Sequence, residues 1–402
     1  MAVTIQTQPN NFNPVNNPCV FDFSSTQTGQ ANFSLLVELT VNGSVHSFHQ
    51  VFPESANYAK FDASEILRTI VFSNIVTDGT FVGLYSNAVL TYSIRVREKY
   101  GTPPIEQGSW TSASTTLTAF NASLRHQDWI DFDYSIYDVT TFIDQTALFL
   151  TDFPRRETYY CGMKESVFLG HICTDTSTTV RARLYDVTDT LIASDNVLIT
   201  IPSDDIIMID ASPQTIVDNS TIVLSDFDSC YYYTIQGRAT GGGSFAGGSE
   251  EFKIYIDREC SQYTSRRLHW LNKYGMWDSY SFNKYSEERG EVQSFAYVKE
   301  RGNWSASNQW EYNRYNGERV NYTKTSVDRM TLNSDWIKEN KYQWLVRDLY
   351  ESPVVYLEVE QGVFEEVKIL NTSYTLRQSI RYGLLQEVVQ LERTYSYRSQ
   401  LN

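Results

Sequence analysis

Residues 31–51, "ANFSLLVELTVNGSVHSFHQV", decide the fold class of this 402-residue chain. Apolar and polar side chains alternate on both sides of Asn42-Gly43, with Phe33, Leu35 and Val37 on one face. A period of two is the pattern of a strand with one buried face. Asn-Gly is the strongest short hairpin signal, because the favoured tight turn needs positive φ at both central positions. The stretch predicts a two-stranded hairpin within a β-domain.

Working outward, "FDASEILRTIV" from Phe61 predicts a short helix capped by Asp62 or Ser64, with Ile66 and Leu67 inward. Residues 87–101, "NAVLTYSIRVREKYG", alternate again and predict a long strand. Together these define a sandwich-like domain over 21–105. Residues 1–20 read as an extended polar arm rich in Asn and Pro. The arm has neither the basic nor the apolar region of a signal peptide. Residues 106–159 read as a connector, with a helical turn near Ser123–Trp129 and with Pro154 interrupting any strand.

Across 160–262, six short runs are separated by polar turns, the spacing of a second antiparallel sandwich. They are "ESVFLGHIC", "TTVRARLYDV", "TLIASDNVLITIP", "STIVLSDF", "CYYYTIQGRA" and "EEFKIYIDREC". The loop "GRATGGGSFAGGSEE" lacks the lysine and following helix of a phosphate loop. It reads either as a tip that orders against a neighbour or as a solvent loop.

The remainder, 263–402, reads as an α+β domain. It opens with "SRRLHWLNKYGMWDSYSF" (265–282), a hairpin with Gly275 at a left-handed turn position. In "LNSDWIKENKYQWLVRDLYESP", Asn333 or Ser334 is the expected cap of one long helix, and Asp335 suits its positive end. Trp336, Tyr342, Leu345 and Leu349 form its expected apolar stripe, and Pro353 ends it. The expected fold is mainly β: two antiparallel β-sandwich (Ig-like) domains followed by a C-terminal α+β domain with one long helix.

Composition narrows function. Aromatic residues make up 14% and charged residues 20%, which excludes wholesale disorder. A net charge of −15 opposes a phosphate-gripping surface, though DNA can slide past such a wall. No apolar run reaches the length of a membrane span. The five cysteines form no CxxC pair and read as buried reduced thiols.

The chemistry-bearing residues form no catalytic set. His269 and Asp278 read as an acid–base pair or as a hydrogen-bonded structural pair; no nucleophile or ligand cluster accompanies them. His46 and His49, three apart on a strand, point to opposite faces. The pairs Asp204/Asp205, Asp226/Asp228 and Glu250/Glu251 lack a calcium loop, although Asp226 and Asp228 are expected on one strand face. Gly243-Ser244 is not a nucleophile elbow. The expectation is a non-enzyme with no catalytic, cofactor-binding or metal-binding residues and no cofactor.

Three stretches, "FDASEILR" (61–68), "SRRLHWLNKYGMWDSYSF" (265–282) and the run from Trp344 to Arg377, resemble a recurring layout in known proteins. The layout belongs to structural proteins of tailed bacteriophages infecting Bacteroidetes, including crAss-like phages. There an N-terminal β-domain precedes a hairpin of this type, and a C-terminal helix leads into an "SP-x-VY"-like segment. This chain departs from it in the long glycine-rich loop and in the polar run after Phe282.

The resemblance implies a virion protein of the tail, neck or baseplate, made in the bacterial host cytoplasm. Its expected partners are copies of itself in a ring and other tail, neck or portal proteins around passing DNA, with no membrane insertion. The arm 1–20 and the glycine-rich loop are the segments expected to order across ring contacts. The alternative is a receptor- or carbohydrate-binding baseplate or tail protein, suggested by the aromatics interleaved with charges from Trp304 to Tyr322.

Overall fold

A computed structural model describes residues 3–54, 57–75, 79–85, 87–140, 146–201, 204–239, 248–258, 262–314, 317–376 and 383–398. The chain is mainly β-strand in several sheets, and it divides into two compact units. The first comprises Met1–Arg258, Trp270–Ser279 and Glu360–Gly362; the second comprises Glu259–His269, Tyr280–Val359 and Val363–Asn402.

In the first unit the expected hairpin forms from Ser34–Val41 and Ser44–Val51. Asn42 and Gly43 take φ of 48° and 75°, the left-handed pair that a tight hairpin turn requires. Ser34–Val41 pairs on its other side with the long strand Val89–Tyr100, which pairs in turn with Leu117–Phe120. A second sheet combines Val3–Thr7, Val20–Ser25 and Tyr58–Asp62. Phe21 and Phe23 from this sheet share one core with Leu35, Val37, Tyr92 and Ile94 from the other. Burying each such side chain contributes roughly 1.5–3 kcal/mol.

The segment read as an extended arm is folded into this unit. Val3–Thr7 lies against Val20–Ser25, and Asn13–Pro14 runs parallel to Ala119–Phe120. Asn17 fastens it further, since its side chain donates to the Leu124 carbonyl and accepts from the Leu124 N–H, each at 2.8 Å. The short helix Ser64–Leu67 forms as expected. Asp62 Oδ1 accepts the Ser64 N–H at its start, and Leu67 is buried.

Further along, a five-stranded sheet takes the order Tyr159–Cys161, Phe252–Ile256, Tyr232–Ala239, Ser177–Tyr185, Leu191–Thr200. A three-stranded sheet joins Phe168–Cys173, Asp205–Asp210 and Val82–Leu84. The last of these strands comes from within 21–105, so one stretch read as a separate sandwich lends a strand to the other.

Two local expectations fail here. "STIVLSDF" is not a strand: helices Pro213–Asn219 and Leu224–Ser229 occupy the region. Pro213 suits a first helical turn, and the Asp226 carboxylate accepts the Val223 N–H at 3.0 Å, capping the second helix. Asp226 and Asp228 therefore sit on a helix, not on one strand face. A strand the sequence did not announce, Asp205–Asp210, lies between Phe168–Cys173 and Val82–Leu84 instead.

In the second unit, a sheet orders Val355–Glu360, Val363–Ile369, Val388–Arg398, Arg319–Asn333 and Ser286–Val298. The long helix runs Glu339–Glu351, starting later than expected. Ser334 is occupied elsewhere, because its hydroxyl accepts the Glu387 N–H at 2.8 Å. Ile337–Lys338 then forms a short strand with Leu384–Leu385, which delays the helix. Tyr342, Leu345 and Leu349 are buried as expected, but Trp336 precedes the helix and is exposed.

Candidate functional site

The stretch 265–282 forms the expected hairpin, Arg266–Leu271 and Trp277–Phe282, with its tip at 272–276. Asn272 writes this tip into the sequence. Its Oδ1 accepts the N–H groups of Tyr274 (2.9 Å) and Met276 (3.1 Å), while its Nδ2 donates to the Leu150 carbonyl at 3.0 Å. Gly275 has φ of 76°, the left-handed position anticipated for it. The tip is seated on the connector: the Ser123 N–H donates to the Lys273 carbonyl at 2.8 Å.

Beside the tip lies a charged network. Lys273 Nζ is 2.6 Å from Asp152 and 3.0 Å from Asp128. The Tyr137 hydroxyl donates to that of Tyr274 (2.9 Å), which donates to Asp152 Oδ1 (3.1 Å). Burial by itself would lower the Lys273 pKa, but Asp152 and Asp128 outweigh it and hold the ammonium above its ordinary value. Burial, reinforced by Asp152 and Tyr137, pushes Tyr274 well up, so its hydroxyl stays a donor. Lys273 and Tyr274 thus keep their protons, and their bonds to Asp128 and Asp152 anchor the tip.

Two neighbouring cavities flank the connector. One, of about 430 Å³, is bordered by Asp128, Asp131, Tyr137 and Lys273. The other, of about 460 Å³, lies between Asn10–Asn13 and the segment bearing Trp129, Asp133 and Tyr134. Phe132 and Asp133 border both. No periodicity marked these residues in the sequence; only the chain's return past Leu124 brings the N-terminal asparagines to them.

The structure gives His269 and Asp278 separate partners. His269 Nε2 lies 3.0 Å from Glu358 Oε2, both fully or nearly fully buried. Asp278 Oδ2 accepts from the Thr151 hydroxyl at 3.0 Å. The expected pairing of His269 with Asp278 gives way to these partners, Glu358 and Thr151, which hairpin geometry did not name.

The other sequence candidates are dispersed. His46 and His49 both contact the Ser47 hydroxyl, at 3.2 and 2.7 Å. Glu250 pairs with Arg155, and Glu251 with Arg181 and Arg183. Among the described residues no group of three or more His, Cys, Asp or Glu side chains is placed to hold a metal ion. Cys19, Cys161, Cys173 and Cys230 are buried thiols outside any disulfide. Burial pushes the Cys19 thiol up to about 12, and those of Cys173 and Cys230 to about 11, which suppresses the nucleophilic thiolate. Cys260 and residues 241–247 of the "GGGSFAGG" core lie outside the described residues.

In the second unit, Ser286–Val298 and Arg319–Asn333 form a long antiparallel ribbon. Met330 and Leu332 at its base are buried, but no residue of 289–298 or 319–329 is. Phe295, Tyr297 and Tyr322 cluster there, with ring centroids 6.3 and 6.4 Å apart, and all three are exposed. Val292 and Tyr397, both opposite Ser326, expose apolar surface on the other face.

No protein-family model matches the chain, and no curated protein matches it. Among solved structures, a crystal structure of calcium-binding domain CBD12 of CALX1.1 is similar at 9% identity. It covers 60% of this chain and 93% of that one, with a TM-score of 0.17. The Dpr2 Ig1-Ig2 complex with DIP-Theta Ig1-Ig3 is similar at 5% identity, covering 82% and 94%, with a TM-score of 0.19. At these scores neither likeness bears on fold family or function.

Proposed function

We propose that this chain is a structural virion protein of a tailed bacteriophage, a subunit of an oligomeric tail or neck ring around the DNA channel. On this reading the first unit is a β-sheet body, and the second unit, with its long ribbon, supplies contacts to neighbours.

The observation that carries the proposal is the ribbon of 286–298 and 319–333. Its base is backed by Val388–Arg398, which pairs Arg319–Asn333 from Thr325 on, but among the described residues 294–298 and 319–324 pair only with each other. A two-stranded ribbon is marginal in water by itself, and its exposed apolar side chains invite cover. Tyr and Phe are the residues that protein interfaces enrich. The resemblance of 61–68, 265–282 and 344–377 to phage structural proteins supplies the virion context. The charge of −15 suits a channel wall that DNA passes without adhering.

Mass photometry and electron-microscope class averages of the purified chain test the proposal. Rings of defined subunit number, or rings formed on adding other virion proteins, are the expected result. A strict monomer at high concentration that joins no virion component would refute it.

A further inference from the structure

We propose that the groove between Asn10–Asn13 and Trp129–Tyr134 binds a neutral saccharide. The inference is independent of ring assembly, because all of its residues belong to the first unit.

The volume of about 460 Å³ falls within the range of small-molecule sites. The lining has the two components that sugar recognition needs. Trp129 and Tyr134, each partly exposed, offer flat apolar faces for the C–H face of a pyranose ring. Asn10, Asn11 and Asp133 offer polar groups for its hydroxyls. Asn11 Oδ1 is held by the Thr118 N–H at 2.7 Å, which leaves its amide group as a donor. One Asp133 oxygen accepts the Ser135 N–H at 2.9 Å, and the second is an acceptor for a hydroxyl.

The groove is built before any ligand arrives. Phe12 is fully buried and takes φ of 51°, a conformation a bulky residue holds only where packing dictates it. Its ring lies 5.4 Å from that of Tyr134, joining the two walls. Pairing of Asn13–Pro14 with Ala119–Phe120 and the reciprocal Asn17–Leu124 bonds fix the N-terminal wall. A preformed wall lowers the ordering cost of binding.

Charge selects among stacking ligands. Asp133 stands in the groove, and Asp128 and Asp131 border the adjoining cavity. Lys273, the cation of that cavity, is already paired with Asp128 and Asp152. Nucleotides, sugar phosphates and sialylated or uronic sugars would bring anions against these carboxylates. An uncharged hexose or N-acetylhexosamine would not.

Saturation-transfer NMR tests this on the full chain, with glucose, galactose, mannose, N-acetylglucosamine, lactose and cellobiose as probes. Glucose 6-phosphate and N-acetylneuraminic acid serve as anionic counterparts. At least one neutral probe is expected to bind with a Kd on the order of 1 mM, weakened about tenfold or more by Trp129→Ala and by Asp133→Asn. Asp133→Asn keeps the acceptor for Ser135 and guards against misfolding as the cause. Trp304→Ala, in the second unit, is expected to leave binding unchanged. Retention of the chain on a neutral polysaccharide column would assign the groove to rings within a polymer; binding of free sugars alone would assign it to chain ends or monosaccharides. No binding by any neutral probe, equal binding of the anionic ones, or binding indifferent to both groove variants would overturn the proposal. Such a failure leaves ring formation untouched, and a monomer that binds sugar would refute only the ring.

Discussion

Gly275 approaches the Asn121 carbonyl so closely that a Cβ on it would stand 1.9 Å from the oxygen. Its φ of 76° adds a second reason for glycine. Gly43 separates the two causes, since its φ is 75° but nothing lies within 4 Å of its Cβ position. Gly43→Ala is expected to cost about 1–2 kcal/mol, the left-handed penalty alone. Gly275→Ala is expected to cost more than about 4 kcal/mol, since backbone must move as well. Gly275→Val is expected to prevent folding. Urea unfolding of the two alanine variants makes the comparison; equal losses would show that the close approach has no energetic weight.

On the same hairpin, Met276 fills the space beside Gly170, where a Cβ would lie 2.4 Å from its Cε and 2.7 Å from its Sδ. The obstacle is the end of a flexible side chain, not backbone. Gly170→Ala is therefore expected to cost about 1–3 kcal/mol by overpacking. Met276→Ala is expected to cost about 2–5 kcal/mol by opening a cavity. In the double variant each change relieves the other, so its loss should fall at least about 1 kcal/mol short of the sum. Strict additivity in denaturant unfolding would mean the two residues do not share that space.

These contacts show which parts of the molecule the sequence discloses. Asn42-Gly43 and Gly275 were legible because local backbone chemistry permits few other residues there. The helix start was misread because Ser334, a good cap in isolation, is taken by Glu387, 53 residues away. Likewise the partner of His269 is Glu358, at a separation of 89 residues, beyond any hairpin spacing. The groove at Trp129 was invisible for the same reason: its two walls meet through Asn17 and Leu124, 107 residues apart. The ribbon after Phe282 read as a polar run because it has no buried face to impose an alternation.

Two buried groups in the first unit make stability depend on pH with opposite signs. Burial pushes Asp205 up to about 6 from its ordinary 3.8, although the Ile206 N–H opposes the shift. Between those values the folded chain holds a proton that the unfolded chain has lost, so this contribution falls as pH rises from about 4 to 6. Burial holds His171 down to about 3 from 6.5, so its contribution rises over the same interval. The sum in the native protein is partly cancelled, and Asp205→Asn uncovers it. Relative to wild type, that variant is expected to gain on the order of 3 kcal/mol between pH 4 and pH 7. Parallel stability curves for the two proteins across that range would show that Asp205 ionises as freely folded as unfolded.

The ribbon separates assembly from folding. Phe295 and Tyr297 lie well beyond the buried base at Met330 and Leu332, and Tyr297 is 49% exposed. Replacing both by serine removes apolar surface that the isolated chain leaves in water, so the cost to its own fold is expected to stay within about 0.5 kcal/mol. At an interface the same rings would be desolvated, and truncating such anchors typically costs about 2 kcal/mol or more each. The double variant is therefore expected to keep its melting temperature as a monomer while losing ring formation or incorporation into virions. Mass photometry and calorimetry on the same sample read both quantities. If the variant unfolds at a lower temperature and still assembles, the ribbon belongs to the fold and the interface must be sought elsewhere. If it assembles normally with an unchanged melting temperature, the exposed aromatics are idle and the ribbon no longer supports a ring.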